Sequence, residues 1–422
     1  MNTRDYSTRI DEIPYFRDSR PLTRWWWFAE NITTDEIDTQ LDWIEAQGFG
    51  GVEVAWVYAG KRGGTIPSFL GPEWQRLVAH AKRSCDARGL ACDFTFGTLW
   101  PFGGSMVDAE HASKTYDGIS AQRLSRSWEN AEGKPPSYLI DHLDREALQA
   151  YADVLGRGLL PALEGGRSAL FCDSWEVDPA GLWTEGFGAA FQRRYGYDLV
   201  PYMPDIDHYP SRRYDYRRLR GEYALREFYE AYTDVTNEMG ALSRVQAHGA
   251  PADLLAAYAA ADIPESEALL FDPPFSTFAA SAAALAGRPL VTTEAFTCIY
   301  GWEPYPERGP HLKEEQPADL KYLADSLFAN GVNHVIWHGM PFNPPGGPNE
   351  FYATVHVGPD AAFADELPAF NNYMSRVSAA LKRGKTHAQL AVYAPYEDTL
   401  MAGELPEELR RPSAMYHWEM HY

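Results

Sequence analysis

SALFCDSWE, residues 168–176, is an apolar run that ends in two acids flanking a serine and a tryptophan. It reads as a strand that reaches solvent at Asp173, Ser174, Trp175 and Glu176. Helical patterns lie on both sides of it. DREALQAYADVLGRGLLPAL, 144–163, comes before, and a long helical excursion over about 185–240 comes after. A strand set between helices argues for βα units and a parallel sheet.

The same alternation runs outward in both directions. Strands are expected at RWWWF (24–28), GGVEVAWV (50–57), ACDFTFG (91–97), SRVQAHG (243–249), around ADIPESE (261–267), at PLVTTEAF (289–296) and at NHVIWHGM (333–340). Between them, Ile37, Leu41 and Ile44 recur at helical spacing, and a second helix over 73–89 closes on Gly89. Further helices are expected over 253–261, 275–287, 317–332 and 367–383. Eight strand-then-helix units give an α/β protein of the TIM (β/α)8 barrel type, with an irregular insertion over about 98–143. The alternative is an open doubly wound sheet. Neither GxGxxG nor GxxxxGK[ST] occurs to support a nucleotide site in one. Residues 1–20 form an N-terminal extension, 21–385 the barrel and 386–422 a C-terminal segment. That segment holds a strand-like run, QLAVYAPYE (389–397), read as the start of a further domain or as a piece packed on the barrel.

Composition narrows the function. The 422 residues are 45% apolar, enough for a large core. Aromatics reach 14%, with 13 tryptophans, and such rings suit stacking on sugars as well as core packing. A net charge of −22 repels nucleic acid and anionic membranes, so neither is an expected partner. Cys85, Cys92, Cys172 and Cys298 form no CxxC pair and read as reduced core thiols. The N-terminus carries no apolar signal region, and no apolar run approaches the roughly 20 residues of a membrane helix. A soluble cytoplasmic protein is expected.

A TIM barrel presents its chemistry at the C-terminal ends of its strands. There the sequence places Trp100, Asp173, Trp175, Glu176, His248, Glu265, Glu267, Glu294, Trp337 and His338. Carboxylates facing one another across a barrel mouth suit glycoside hydrolysis. One acid protonates the leaving oxygen, and a second attacks the sugar or activates a water. Crowded carboxylates also raise one another's pKa, which keeps one of them protonated near neutral pH. The bland readings are a capping or salt-bridging role for Glu176, core packing for the tryptophans and structural roles for the histidines. No HExxH or GxSxG motif supports a zinc protease or a serine hydrolase.

The ordered set RWWWF, GFGGVE, LWPFGG, FCDSWE, VQAHG, DIPESE, TTEAFT and GVNHVIWHG resembles the catalytic barrel of glycoside hydrolase family 106, from about residue 20 to 385. The resemblance implies an inverting α-L-rhamnosidase that cleaves terminal α-L-rhamnosides. It makes Glu176 the general acid and Glu294 the leading base. Glu267 becomes a third active-site carboxylate, either a base alternative or part of a calcium site. Calcium is implied as a cofactor, with Glu267 its candidate ligand. Asp173, Trp100, Trp175, His248, Glu265, Trp337 and His338 are the expected substrate-binding set. Family members are usually longer and commonly exported, whereas this sequence stops soon after the barrel and shows no evident signal. Three rival readings remain open: a retaining glycosidase on another sugar, such as a β-galactosidase-like enzyme; a non-catalytic sugar-binding barrel; and, more weakly, a carbohydrate lyase.

Overall fold

The computed structural model describes residues 10–11, 13–27, 32–56, 69–97, 101–104, 106–119, 138–165, 167–269, 276–297, 299, 315–342, 357–393 and 396–401. Eight parallel strands close into a barrel: β1 (Leu22–Trp27), β2 (Gly51–Trp56), β3 (Ala91–Thr95), β4 (Ala169–Cys172), β5 (Leu242–Val245), β6 (Ile263–Leu269), β7 (Thr292–Thr297) and β8 (His334–Pro341). Each pairs with its neighbours in sequence, and β8 pairs with β1 to close the ring. The helices α1 (Thr34–Ala46), α2 (Pro72–Arg88), α3 (Arg145–Leu163), α4 (Ala231–Glu238), α5 (Leu254–Ala260), α6 (Thr277–Ala286), α7 (Pro317–Ala329) and α8 (Leu367–Leu381) follow the strands in turn. The doubly wound alternative is thereby excluded. Among the described residues, no helix is long and apolar enough to cross a membrane.

Local chemistry sets the helix ends. The Thr33 hydroxyl accepts the Glu36 N–H at the start of α1, and Asp144 accepts the Glu146 N–H at the start of α3. Gly89 ends α2 at φ +69°, a left-handed position that glycine takes without strain.

Alternation along the strands separates two kinds of interior. Trp25, Trp27, Val52, Val54, Cys92, Phe94, Leu170, Cys172 and Trp337 face the helices and are buried there. The opposite faces line the barrel axis. At its floor, Leu22, Ala91, Ala169, Leu242, Ile263 and Ile336 pack against Ile10, Ile13 and Tyr15 from the N-terminal segment. Above the floor lies a layer of buried charge: Arg24, Glu53, Asp93, Arg244 and Glu265, none more than 1% exposed.

Two segments depart from regular βα geometry. β4 ends at Cys172, four residues before the expected limit, so Asp173 to Glu176 form a loop at the mouth. The excursion between β4 and α4 builds a satellite core from Phe187, Phe191, Leu199, Met203, Tyr216 and Leu219. Its two-residue strand Leu182–Trp183 pairs with Lys114–Thr115 of the insertion after β3. The strand expected over 389–397 does not form. Residues 389–393 are irregular, with Leu390, Val392 and Tyr393 at 86%, 92% and 76% exposure, and a short helix spans Tyr396–Met401. The run has β-forming residues but pairs with no strand among the described residues, and pairing is what makes a strand.

Candidate active site

Arg24 of β1 is the electrostatic centre of the barrel. Its Nε donates to Glu53 Oε1 at 2.8 Å and its Nη1 to Glu294 Oε2 at 2.8 Å. Arg244 of β5 bonds the other oxygen of Glu53 and lies 3.2 Å from Glu265 Oε2. Both guanidinium carbons sit over the Phe171 ring, at 4.3 and 5.2 Å from its centre. Phe171 thus faces the axis and adds cation–π attraction where water is excluded. Isolated buried charges cost far more than paired ones, and this layer leaves each guanidinium shared between carboxylates.

Glu294 stands at the top of that layer, 3% exposed. Besides Arg24, its Oε2 accepts from Gln246 Nε2 at 2.9 Å, and its Oε1 accepts from the Thr297 hydroxyl at 2.8 Å. His338 Nε2 lies 3.5 Å from Oε1. In a regular strand, residues three apart point to opposite faces. Here Phe296 adopts φ +69°, breaks the alternation and brings Thr297 round to Glu294. Burial alone raises a carboxyl's pKa. Arg24, then His338, Gln246 and Thr297, more than offset it, and Glu294 is held down at about 2.

The neighbouring carboxyls respond in the opposite sense. Asp173 is pushed well above the usual range by burial and then by the Glu294 charge, with Glu176 and Glu267 adding to it. Glu267, register partner of Glu294 across β6 and β7, is raised by burial and again by Glu294. Its Oε2 lies 2.9 Å from His248 Nε2, and the Tyr258 hydroxyl is 3.3 Å from the other ring nitrogen. Burial lowers His248 and His338 to about 4, so both are neutral at physiological pH. Glu176 is exposed at the solvent edge of the same mouth. One mouth therefore carries one firmly ionised carboxylate and two that favour the protonated form.

Three expected site residues sit elsewhere. Glu265 is fully buried below the mouth, held by the Thr292 hydroxyl at 2.8 Å and by Arg244, so it belongs to the charge layer and cannot meet a sugar. Trp337 faces the helices, with its Nε1 donating to Asn371 Oδ1 at 3.1 Å and its ring 4.3 Å from Phe296. It is core, because odd and even positions of β8 point opposite ways and His338 takes the axial side. Trp175 is 4% exposed, donates its Nε1 to the Val177 carbonyl at 2.9 Å and packs edge-on against His142 and Phe228. It backs the loop of Glu176 from within a small cavity also lined by Phe102, Cys172 and Asp173. Trp100 lies outside the described residues.

The sequence reading passed over Arg24, Glu53, Arg244 and Gln246. A signal for them exists: each is a lone charged or polar residue inside an otherwise apolar strand, in phase with the axial face. Among the described residues no group of three or more His, Cys, Asp or Glu side chains is placed to hold a metal ion, and Glu267 bonds His248.

Comparison with known proteins agrees with this picture. A family model described as alpha-L-rhamnosidase of glycoside hydrolase family 106 matches residues 128–419, more than half of the chain. The curated protein "Putative beta-glucuronidase" of Formosa agariphila is 29% identical over 252 residues, covering 56% of this chain and 20% of that protein. A solved rhamnosidase from Novosphingobium sp. PP1Y superposes with a TM-score of 0.63 at 16% identity, covering 88% of this chain and 60% of that one. A β-galactosidase from Bacillus circulans sp. alkalophilus gives 0.58 at 11% identity, covering 91% and 60%. The chain thus spans a fifth of the curated relative and three fifths of these two structures. The structural likenesses establish the barrel.

Proposed function

The chain belongs to the alpha-L-rhamnosidase family of glycoside hydrolase family 106, and from that premise we propose that its mouth hydrolyses terminal α-L-rhamnosides with inversion. The observation that supports this reading is the split protonation at one mouth: Glu294 fixed as an anion, Asp173 and Glu267 pushed toward the neutral form. Glycoside hydrolysis needs a proton donor on one side of the sugar and an ionised group on the other, and Glu294 supplies the ionised group.

In this proposal Glu176 gives its proton to the glycosidic oxygen as the bond from the anomeric carbon breaks. Its solvent-edge position suits a departing aglycone. A water attacks the opposite face of the ring and passes its proton toward Glu294. A carboxylate near 2 is a weak base in isolation. The attacking water, however, becomes acidic as it bonds an oxocarbenium-like carbon, and a fixed negative charge stabilises that transition state without reorganising. Neutral Asp173 and Glu267 serve as hydroxyl-directed donors to the sugar. The fixed negative charge of Glu294 disfavours an anionic sugar, which argues for a neutral rhamnoside over a glucuronide at this position.

The test is Glu176→Gln and Glu294→Gln on an alkyl α-L-rhamnoside, whose leaving alkoxide needs a proton. Each is expected to lose roughly 10²- to 10⁴-fold in kcat. The Glu176 loss should shrink with a more acidic leaving group, which needs no protonation. Proton NMR should find β-L-rhamnose as the first product. Near wild-type kcat in either variant, or α-L-rhamnose formed first, would overturn the assignment.

A further inference from the structure

One stretch of the excursion after β4 is locally basic in an otherwise acidic chain. Between Arg193 and Arg226 there are eight arginines and five acids, in a chain of net charge −22. Several of these arginines are committed. Arg194 and Arg218 pair with Glu222, Arg213 and Arg217 with Asp207, and Arg220 donates to the Pro179 carbonyl at 2.6 Å.

Arg212 is held differently. Its guanidinium carbon lies 3.8 Å from the centre of the Tyr202 ring, 5.2 Å from Tyr209 and 5.7 Å from Tyr197. The rings touch one another, Tyr202 with Tyr209 at 5.2 Å and Tyr197 with Tyr202 at 6.3 Å. Among the described residues, no carboxylate forms an ion pair with Arg212. Asp207 is taken by two other arginines, and Asp215 accepts the Tyr197 hydroxyl at 3.0 Å. Tyr209 is 38% exposed, and Arg212, Tyr197 and Tyr202 are half-buried, so the cluster opens to solvent.

A guanidinium resting flat on a ring keeps its N–H donors along its edge. That edge matches a planar carboxylate in bidentate fashion. The tyrosine rings beside it are flat, apolar and hydroxyl-tipped, which suits the C–H face of a pyranose. The helix that carries Arg212 also touches the loop that follows Glu176. The helix Pro210–Tyr223 bonds, through Arg220, the carbonyl three residues beyond Glu176. Arg212 precedes Arg220 by eight residues, roughly 12 Å along the helix.

We propose that Arg212 with Tyr197, Tyr202 and Tyr209 forms an accessory site for a uronic-acid residue of a glycan chain. The carboxylate sits on the guanidinium edge and the pyranose on tyrosine. The binding claim stands without the catalytic reading. Joined to that reading, and resting on it for this part, it describes a neutral terminal sugar carried by an acidic chain.

Calorimetry with a polygalacturonate hexasaccharide and its carboxyl-reduced neutral counterpart tests the site without turnover. The wild-type protein is expected to bind the acidic hexamer, more weakly as salt rises, and to bind the neutral one at least tenfold less well. Arg212→Gln and Tyr209→Ala should each weaken acidic binding at least tenfold while Tm and the circular dichroism spectrum hold. No binding by wild type, equal binding of the two hexamers, or wild-type affinity in Arg212→Gln would overturn the site. Failure of rhamnoside hydrolysis with acidic binding intact would instead overturn the catalytic reading alone.

Discussion

Glu294 shows how one residue's surroundings set the state of its neighbours. Its carboxylate is wrapped by Arg24, Gln246 and Thr297, with His338 close by, and its fixed charge then lifts Asp173 and Glu267. Apart from Thr297 of the same strand, nothing local to TTEAF specifies this, because the other partners come from β1, from the residue after β5 and from β8. The arrangement predicts a pH signature. Glu294 falls from an ordinary 4.5 to about 2 on folding, so its contribution is fully present above 4.5 and is lost as pH falls toward 2. The slope from one such group is at most about 1.4 kcal/mol per pH unit. Glu294→Gln should therefore be less stable than wild type at pH 7, with the gap closing between 4.5 and 2 in denaturant melts. A gap constant across that range would mean that Glu294 is not charge-stabilised.

At the scale of the element, each barrel strand gives its outer face to packing and its inner face to charge. β1 alternates Arg24 and Trp26 on the axis with Trp25 and Trp27 under the helices, and Trp26 donates its Nε1 to the His338 carbonyl at 2.6 Å. That bond and the register of β1 against β8 bring the two strands unusually close at Gly339. Gly339 has φ +135°, and a Cβ there would overlap the Arg24 carbonyl. Gly339→Ala is expected to cost about 3 kcal/mol or more, through strain and displaced pairing. Thermal melts read the loss, and rhamnoside hydrolysis should fall with it because Arg24 moves. A wild-type Tm in that variant would show the strand edge to be compliant. Strand positions were legible to within a few residues because apolar runs and Gly, Pro and Asp breaks are local signals. The composition extends β4 four residues past its pairing, because Asp173 to Glu176 follow the apolar run without joining the ladder.

For the whole molecule, the axis is ordered from floor to mouth: apolar floor, charge layer, acidic rim. The exposed run at 389–393 is the exception to its packing. Leu390, Val392 and Tyr393 present β-forming apolar side chains to solvent, a ready template for association. Replacing all three with Ser should leave Tm unchanged and reduce self-association in light scattering at high concentration. Unchanged association would free that run of the role. The sequence by itself determined the barrel, since eight alternations of apolar run and amphipathic helix admit few other closures, and it located the acids of the rim. The tertiary structure decided which of them is charged. It moved Glu265 into the charge layer, turned Trp337 to the helices, and assembled Arg24, Glu53 and Arg244 from strands up to 220 residues apart. The physical reason is range. Hydrophobic period is written in neighbouring residues, whereas a buried carboxylate's pKa is set by charges a few ångströms away in space, whatever their distance along the chain.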